Sequence, residues 1–162
     1  MKKLATYCGL GLLWWLHWLP LPWLRALGAL LGRLLYRFGR ERREVALTNL
    51  RLCFPALSEV DREQLARRHF VAFAQAVLDR TLGWWAPRGR LARLIRLRGG
   101  EHLRSADGRP TILLAPHFVG LDAGGTRMTM ETPVCSVYSN QKNPVLNRLL
   151  YAGRMRFNPS QL

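Results

Sequence analysis

The chain is poor in lysine, in acid and in paired cysteine, and each shortage narrows what it can be. Its only lysines are Lys2, Lys3 and Lys142, so nearly all of a basic excess of 25 Lys+Arg over 10 Asp+Glu is arginine. The formal net charge of +15 draws phosphate-rich or acidic partners. Arginine binds phosphate bidentately, in lipid and nucleic acid alike. The three cysteines, Cys8, Cys53 and Cys135, are widely spaced and form no C-x-x-C pair. That excludes a zinc ribbon and a disulfide scaffold and fits reduced, cytosol-facing thiols. No His/Cys/carboxylate set falls at metal-ligand spacing, so neither a metal nor another cofactor is expected. Internal repeats and low-complexity segments are missing too, which excludes solenoids and compositionally biased tails.

What is present is one domain's worth of chain with 49% apolar residues, enough for a core. After Lys2 and Lys3 an uncharged stretch runs from Leu4 to Leu24, and roughly twenty residues suffice to span a bilayer. Pro20 and Pro22 interrupt it. Trp14, Trp15, Trp18 and Trp23 gather in its second half, and indole rings favour the headgroup level. No convincing small-x-small cleavage site follows the apolar stretch before the arginines begin, so a membrane anchor, spanning or interfacial, is preferred to a cleaved signal. Leu24, Leu27, Leu31, Leu34 and Phe38 then recur at helical spacing, with Arg25, Arg33 and Arg37 between them. This predicts a basic amphipathic helix that meets anionic headgroups. Arginines downstream of the anchor put the body of the chain on the cytoplasmic side. They follow an apolar segment rather than interleaving with aromatic stacking positions, which argues against nucleic acid. Residues 1–40 are therefore read as anchor plus basic helix, and residues 41–162 as a separate domain.

Within 41–162 a helix is expected from Glu41 to Leu50, stopped by Pro55. Ser58 and Asp61 start another, which runs to about Leu82 with Ala66, Phe70, Phe73 and Val77 on one face. Leu94 to Arg98, Thr111 to Ala115 and Val134 to Val137 read as strands. Glu101 to Ala106 reads as a short helix and Asp107-Gly108 as a turn. Further helices start near Val119 and at Asn143-Pro144, the last stopped by Gly153. The alternation predicts an α/β fold with a partial, mainly parallel sheet.

His117 follows the apolar run, at the carboxyl end of an expected strand, where open α/β sheets hold their ligands. Asp122 stands five positions on, about a turn inside the expected helix, where its carboxylate can fold back onto the imidazole. A carboxylate on one ring nitrogen fixes the tautomer and leaves the other nitrogen to take a proton. Such a pair is a general base that needs no Ser or Cys nucleophile. The same spacing recurs at His102 and Asp107, but no apolar strand aims that histidine, and it reads as a structural or surface residue. His69 reads as an ordinary helix-face histidine.

Six blocks follow one another along the chain. They are L-G-R-L-L-Y-R from Leu31, N-L-R-L-C-F-P from Asn49 and G-G-E-H-L from Gly99, then I-L-L-A-P-H-F-V-G-L-D from Ile112, V-Y-S-N-Q-K-N-P-V-L-N-R-L-L from Val137 and G-R-M-R from Gly153. In this order the chain resembles the bacterial lipid A biosynthesis acyltransferases, within the lysophospholipid acyltransferase-like superfamily. The resemblance implies an acyltransferase-like fold at the bacterial inner membrane, its catalytic part on the cytoplasmic face. It also implies transfer of a fatty acyl chain to a hydroxyl of a lipid A precursor, or of a lysophospholipid, in lipopolysaccharide biosynthesis. The donor would be an acyl carrier protein thioester or acyl-CoA. His117 would be the base and Asp122 its orienter, with no acyl-enzyme. Arg154, with Asn143 and Arg156 behind it, would position substrate, and backbone N–H groups from Phe118 to Gly120 would face the oxyanion.

Two features depart from the family pattern. Glutamate is usual where Asp122 stands, and the family continues beyond a block like G-R-M-R, so the second half of the fold is expected to be missing. The competing readings are a membrane-anchored basic lipid-binding protein without chemistry and an inactive fragment of such an enzyme.

Overall fold

The computed structural model describes residues 2–103 and 111–157; the turn expected at Asp107-Gly108 lies outside them. Seven α-helices carry the described residues: α1 (Lys2–Leu16), α2 (Leu21–Phe38), α3 (Arg40–Cys53), α4 (Glu59–Trp85), α5 (Arg88–Leu94), α6 (Leu121–Met128) and α7 (Pro144–Met155). A short 3-10 helix at Gly100–Leu103 covers the start of the short helix expected from Glu101 to Ala106, and residues 104–106 of that helix lie outside the described residues.

No strand occurs among the described residues, and this overturns the expected α/β fold with its parallel sheet. Residues 96–98, 111–118 and 133–141 are irregular. The physical reason is pairing. An apolar, β-branched run has the composition of a buried strand, but a strand persists only through a ladder with a neighbour. Here the runs stand in solvent: Ile112 and Leu114 are 97% exposed and Val137 is fully exposed.

The apolar stretch from Leu4 to Leu24 is not one helix either. α1 ends at Leu16, and α2 begins after Pro20 with Pro22 in its first turn, because proline lacks the N–H that would continue a helix through it. α1 has only 15 residues, and α2 carries Arg25, Arg33 and Arg37. Among the described residues no helix is long and apolar enough to cross a membrane, which leaves the expected transmembrane helix without support.

The chain divides into two compact units, Trp18–Asp79 and Met1–His17 with Arg80–Leu162. In the first, burial on α2 does not follow the leucine stripe. Leu24, Gly28, Gly32 and Tyr36 face inward, while Leu31, Leu34 and Phe38 stay exposed. Two glycines decide this. A Cβ on Gly28 would lie 2.8 Å from the Gln75 Cα, and one on Gly32 2.5 Å from the Val71 Cα. α2 therefore meets α4 backbone to backbone, along a line that only glycine leaves open. Tyr36 packs edge-on to Phe70 with ring centroids 5.5 Å apart, and Ala66, Ala46, Leu47 and Leu50 complete the cluster. α4 turns Ala66, Phe70, Ala74 and Leu78 inward and leaves Phe73 and Val77 exposed.

The α3–α4 connection is held by the buried Arg62, which donates to the carbonyls of Phe54 (3.2 Å) and Pro55 (2.6 Å) and to Glu59 Oε1 (2.8 Å). The expected helix start is in place, with Asp61 N–H donating to Ser58 Oγ at 3.1 Å.

In the second unit Leu91 of α5 is wholly buried, and Arg90 donates to the carbonyl of His17, itself buried. Gly153 does not stop α7. It lies inside that helix, where a Cβ would meet Trp84 Cδ1 at 2.4 Å, so it lets α7 pass close over the indole.

Candidate active site

α6 positions the candidate acid, and the irregular segment before it carries the histidine. Asp122 sits in the first turn of α6, where the free N–H groups of a helix start favour negative charge. Its Oδ2 accepts a hydrogen bond from Arg80 Nε, at the far end of α4, at 2.6 Å. Thr126 Oγ1 donates to the Asp122 carbonyl at 2.8 Å and ties the turn further. His117 is exposed, and among the described residues no hydrogen bond joins it to Asp122. The carboxylate is thus brought to Arg80, and the imidazole is left open to an incoming group.

Between them the backbone turns tightly. Phe118 N–H donates to the Pro116 carbonyl at 2.8 Å, and Leu121 N–H to the Phe118 carbonyl at 3.1 Å. The Phe118 N–H is therefore engaged. Gly120 caps α6 at φ −89°, ψ 8°, and a Cβ there would meet nothing within 4 Å, so the space beside this turn is open.

The three polar candidates nearer the C-terminus separate by what holds them. Asn143 is the N-cap of α7, its Oδ1 accepting from the N–H groups of Val145 (3.0 Å) and Leu146 (3.2 Å). Arg156 donates to the carbonyls of Gly83 (3.1 Å), Ala86 (2.6 Å) and Trp85 (3.4 Å), closing the C-terminal end of α4. Burial lowers its pKa from the ordinary arginine value. Arg154, in the last turn of α7, lies 4.8 Å over the Tyr138 ring and makes no hydrogen bond among the described residues. Of the three, Arg154 keeps its donors available.

Arg80 is the residue that sequence reasoning missed. It is one arginine among many on a helix, distant in sequence from the acid it holds, and only the packing of α4 beside α6 reveals it.

Residues 1–162 match the profile of the family described as bacterial lipid A biosynthesis acyltransferase. The chain is 35% identical over 159 residues to the lipid A biosynthesis lauroyltransferase of Escherichia coli (strain K12), a match covering 97% of this chain and 52% of that protein. It is 30% identical to the lipid A biosynthesis palmitoleoyltransferase of the same strain, with the same coverage. To the myristoyltransferase of that strain it is 31% identical over 134 residues, 80% of this chain and 41% of the relative. The chain thus spans about half the length of the curated relatives it matches. No solved structure matches it significantly.

Proposed function

Because the chain belongs to the bacterial lipid A biosynthesis acyltransferase family, we propose that it transfers a fatty acyl chain to a hydroxyl of a lipid A precursor. The donor in this reading is an acyl carrier protein thioester, or acyl-CoA in its place. His117 takes the proton of the acceptor hydroxyl, and the oxygen attacks the thioester carbonyl. The C–S bond breaks, and the thiolate leaves with the proton that His117 returns. No acyl-enzyme forms, since the acceptor oxygen is itself the nucleophile.

Asp122, held by Arg80, orients the turn that carries His117 and engages the imidazole when substrate is bound. Hydrogen bonds of catalytic groups commonly tighten only in the substrate complex. The backbone N–H of Gly120, beside open space, serves the developing oxyanion better than that of Phe118, already given to Pro116. Arg154 takes a phosphate of the acceptor. Asn143 and Arg156 support it by fixing the two ends of the α7 region. The site of action is the cytoplasmic face of the inner membrane, reached through the exposed leucines of α2 rather than a spanning helix.

The observation that carries this reading is the exposed His117 within I-L-L-A-P-H-F-V-G-L-D, in a chain matched along its whole length by one acyltransferase family. The test is thiol release from acyl carrier protein thioester in the presence of a lipid A precursor, with the parent chain and with His117→Ala. Turnover that depends on His117 is expected. Turnover indifferent to His117 would overturn the mechanism. One observation favours a second reading, lipid binding without chemistry: the only hydrogen bond to the Asp122 carboxylate among the described residues comes from Arg80. That reading predicts vesicle binding and no thiol release.

A further inference from the structure

The unit Trp18–Asp79 holds a groove of about 1030 Å³, lined by none of the residues proposed above for acyl transfer. Five arginines line it, Arg33 and Arg37 from α2, Arg43 from α3, and Arg67 and Arg68 from α4. Glu63 is the only acid among the lining residues, and its Oε1 already accepts from Arg67 at 2.6 Å and from the Tyr36 hydroxyl at 3.2 Å. Arg43 donates to the Tyr36 carbonyl at 2.9 Å, and the guanidiniums of Arg67 and Arg43 lie 4.7 Å and 5.4 Å from the Tyr36 ring centroid. These contacts hold two of the five arginines in place. Arg33 and Arg68 are exposed and make no hydrogen bond or ion pair among the described residues. Like charges gathered this closely repel one another unless an anion sits among them. The planar fork of arginine suits the oxygens of a phosphate.

The walls add a second requirement. Leu34, Leu47 and Val71 line the same groove. On α2 next to it Leu30, Leu31 and Leu35 are exposed, and Phe38 is 76% exposed. Charge alone would suit an acidic protein. Arginines beside a row of exposed apolar side chains on one helix suit the boundary between headgroups and acyl chains.

We propose that this groove is a binding site for the phosphate of an anionic phospholipid headgroup, occupied when α2 lies on a bilayer with its exposed leucines and Phe38 in the acyl boundary. The proposal rests on the membrane part of the reading above and is independent of acyl transfer. It deepens that part by assigning headgroup recognition to particular side chains.

Vesicle flotation of the full chain tests it, using vesicles of phosphatidylcholine alone and with about one-third phosphatidylglycerol. The test variant is Arg33→Gln with Arg68→Gln. Neither side chain has a partner to lose among the described residues, and circular dichroism checks that helicity and melting are retained. The control is Arg93→Gln with Arg148→Gln, the same charge change on exposed arginines of the other unit.

The groove variant is expected to lose about tenfold or more in partition to the anionic vesicles, and the control less than about threefold. Equal losses in the two variants would mean that diffuse charge binds the membrane, and would overturn the groove as a site. So would undiminished vesicle binding by the groove variant, or a loss of affinity for acyl carrier protein in place of vesicles. Since the readout needs no turnover, failure here leaves the acyl-transfer reading standing, and failure of that reading leaves this one.

Discussion

Arg80 at the end of α4 donates to the Asp122 carboxylate at 2.6 Å, joining residues 42 positions apart. The pair pins the start of α6 and, through the Phe118–Leu121 turn, the chain that carries His117. Both side chains are close to half exposed, so water screens the attraction. Arg80→Gln should change unfolding free energy by less than about 1 kcal/mol. It should nonetheless lower acyl transfer about tenfold, because a misplaced base costs more in rate than in stability. Urea unfolding and thiol-release rates on one preparation check both halves. Unchanged rates would remove the pair from the positioning of the site.

Arg154 and Arg156 stand two residues apart and should respond oppositely. Arg156→Ala abandons three carbonyls at the end of α4 and should cost about 1–3 kcal/mol of stability. Arg154→Ala gives up a contact over Tyr138 and should leave melting nearly unchanged while raising the KM for a phosphorylated acceptor. Thermal melts and steady-state kinetics of the two variants separate them.

Of the two buried glycines of α2, Gly32 leaves less room for a Cβ against α4. Gly32→Ala sets a Cβ 2.5 Å from the Val71 Cα and 2.7 Å from the Phe70 carbonyl oxygen; neither is a flexible side chain that can yield. A loss of about 1–3 kcal/mol is expected from the forced separation. Gly89→Ala, in α5 with nothing within 4 Å, should be neutral or stabilising by up to about 1 kcal/mol. Melting temperatures of the two variants make the comparison.

Asp79 gives a pH dependence. Burial raises its pKa above the ordinary aspartate value, and Arg25 at 3.1 Å lowers it by less. Its Oδ1 has no hydrogen-bond partner among the described residues. A raised folded-state pKa means the folded chain binds this proton more tightly than the unfolded chain. The group therefore favours folding at low pH and opposes it increasingly as pH rises from the ordinary carboxylate value through the folded one. Asp79→Asn should accordingly be at least as stable as the parent at neutral pH, with an advantage that shrinks on acidification. Arg25, partly exposed, is left in water and not stranded. Urea titrations across that range test the sign, and a large loss at neutral pH would show that the ion pair outweighs burial.

The helices were legible where a local rule specifies them. Ser58 and Asp61 start α4, Pro55 follows the end of α3, and Asn143 caps α7. The faces were less legible, because hydrophobicity marks Leu31, Leu34 and Phe38 while packing is decided by Gly28 and Gly32, which a hydropathy pattern ignores. The strands were misread because Ile112, Leu114 and Val137 have strand composition without a strand neighbour. No local rule supplies one. Gly153 was misread for a related reason. A glycine late in a helix signals a stop, and here it serves a close approach to Trp84. In the site, His117 and Asp122 stood out from their neighbours, whereas Arg80 is visible only once α4 and α6 lie side by side.

The central claim is that His117 moves the proton, and the rate of thiol release by His117→Ala measures it most directly. With acyl carrier protein thioester and a lipid A precursor, the variant should fall about a hundredfold or more below the parent. Its melting should be unchanged, because the side chain is exposed. A variant within about threefold of the parent, or a parent that releases no thiol at all, would contradict the account.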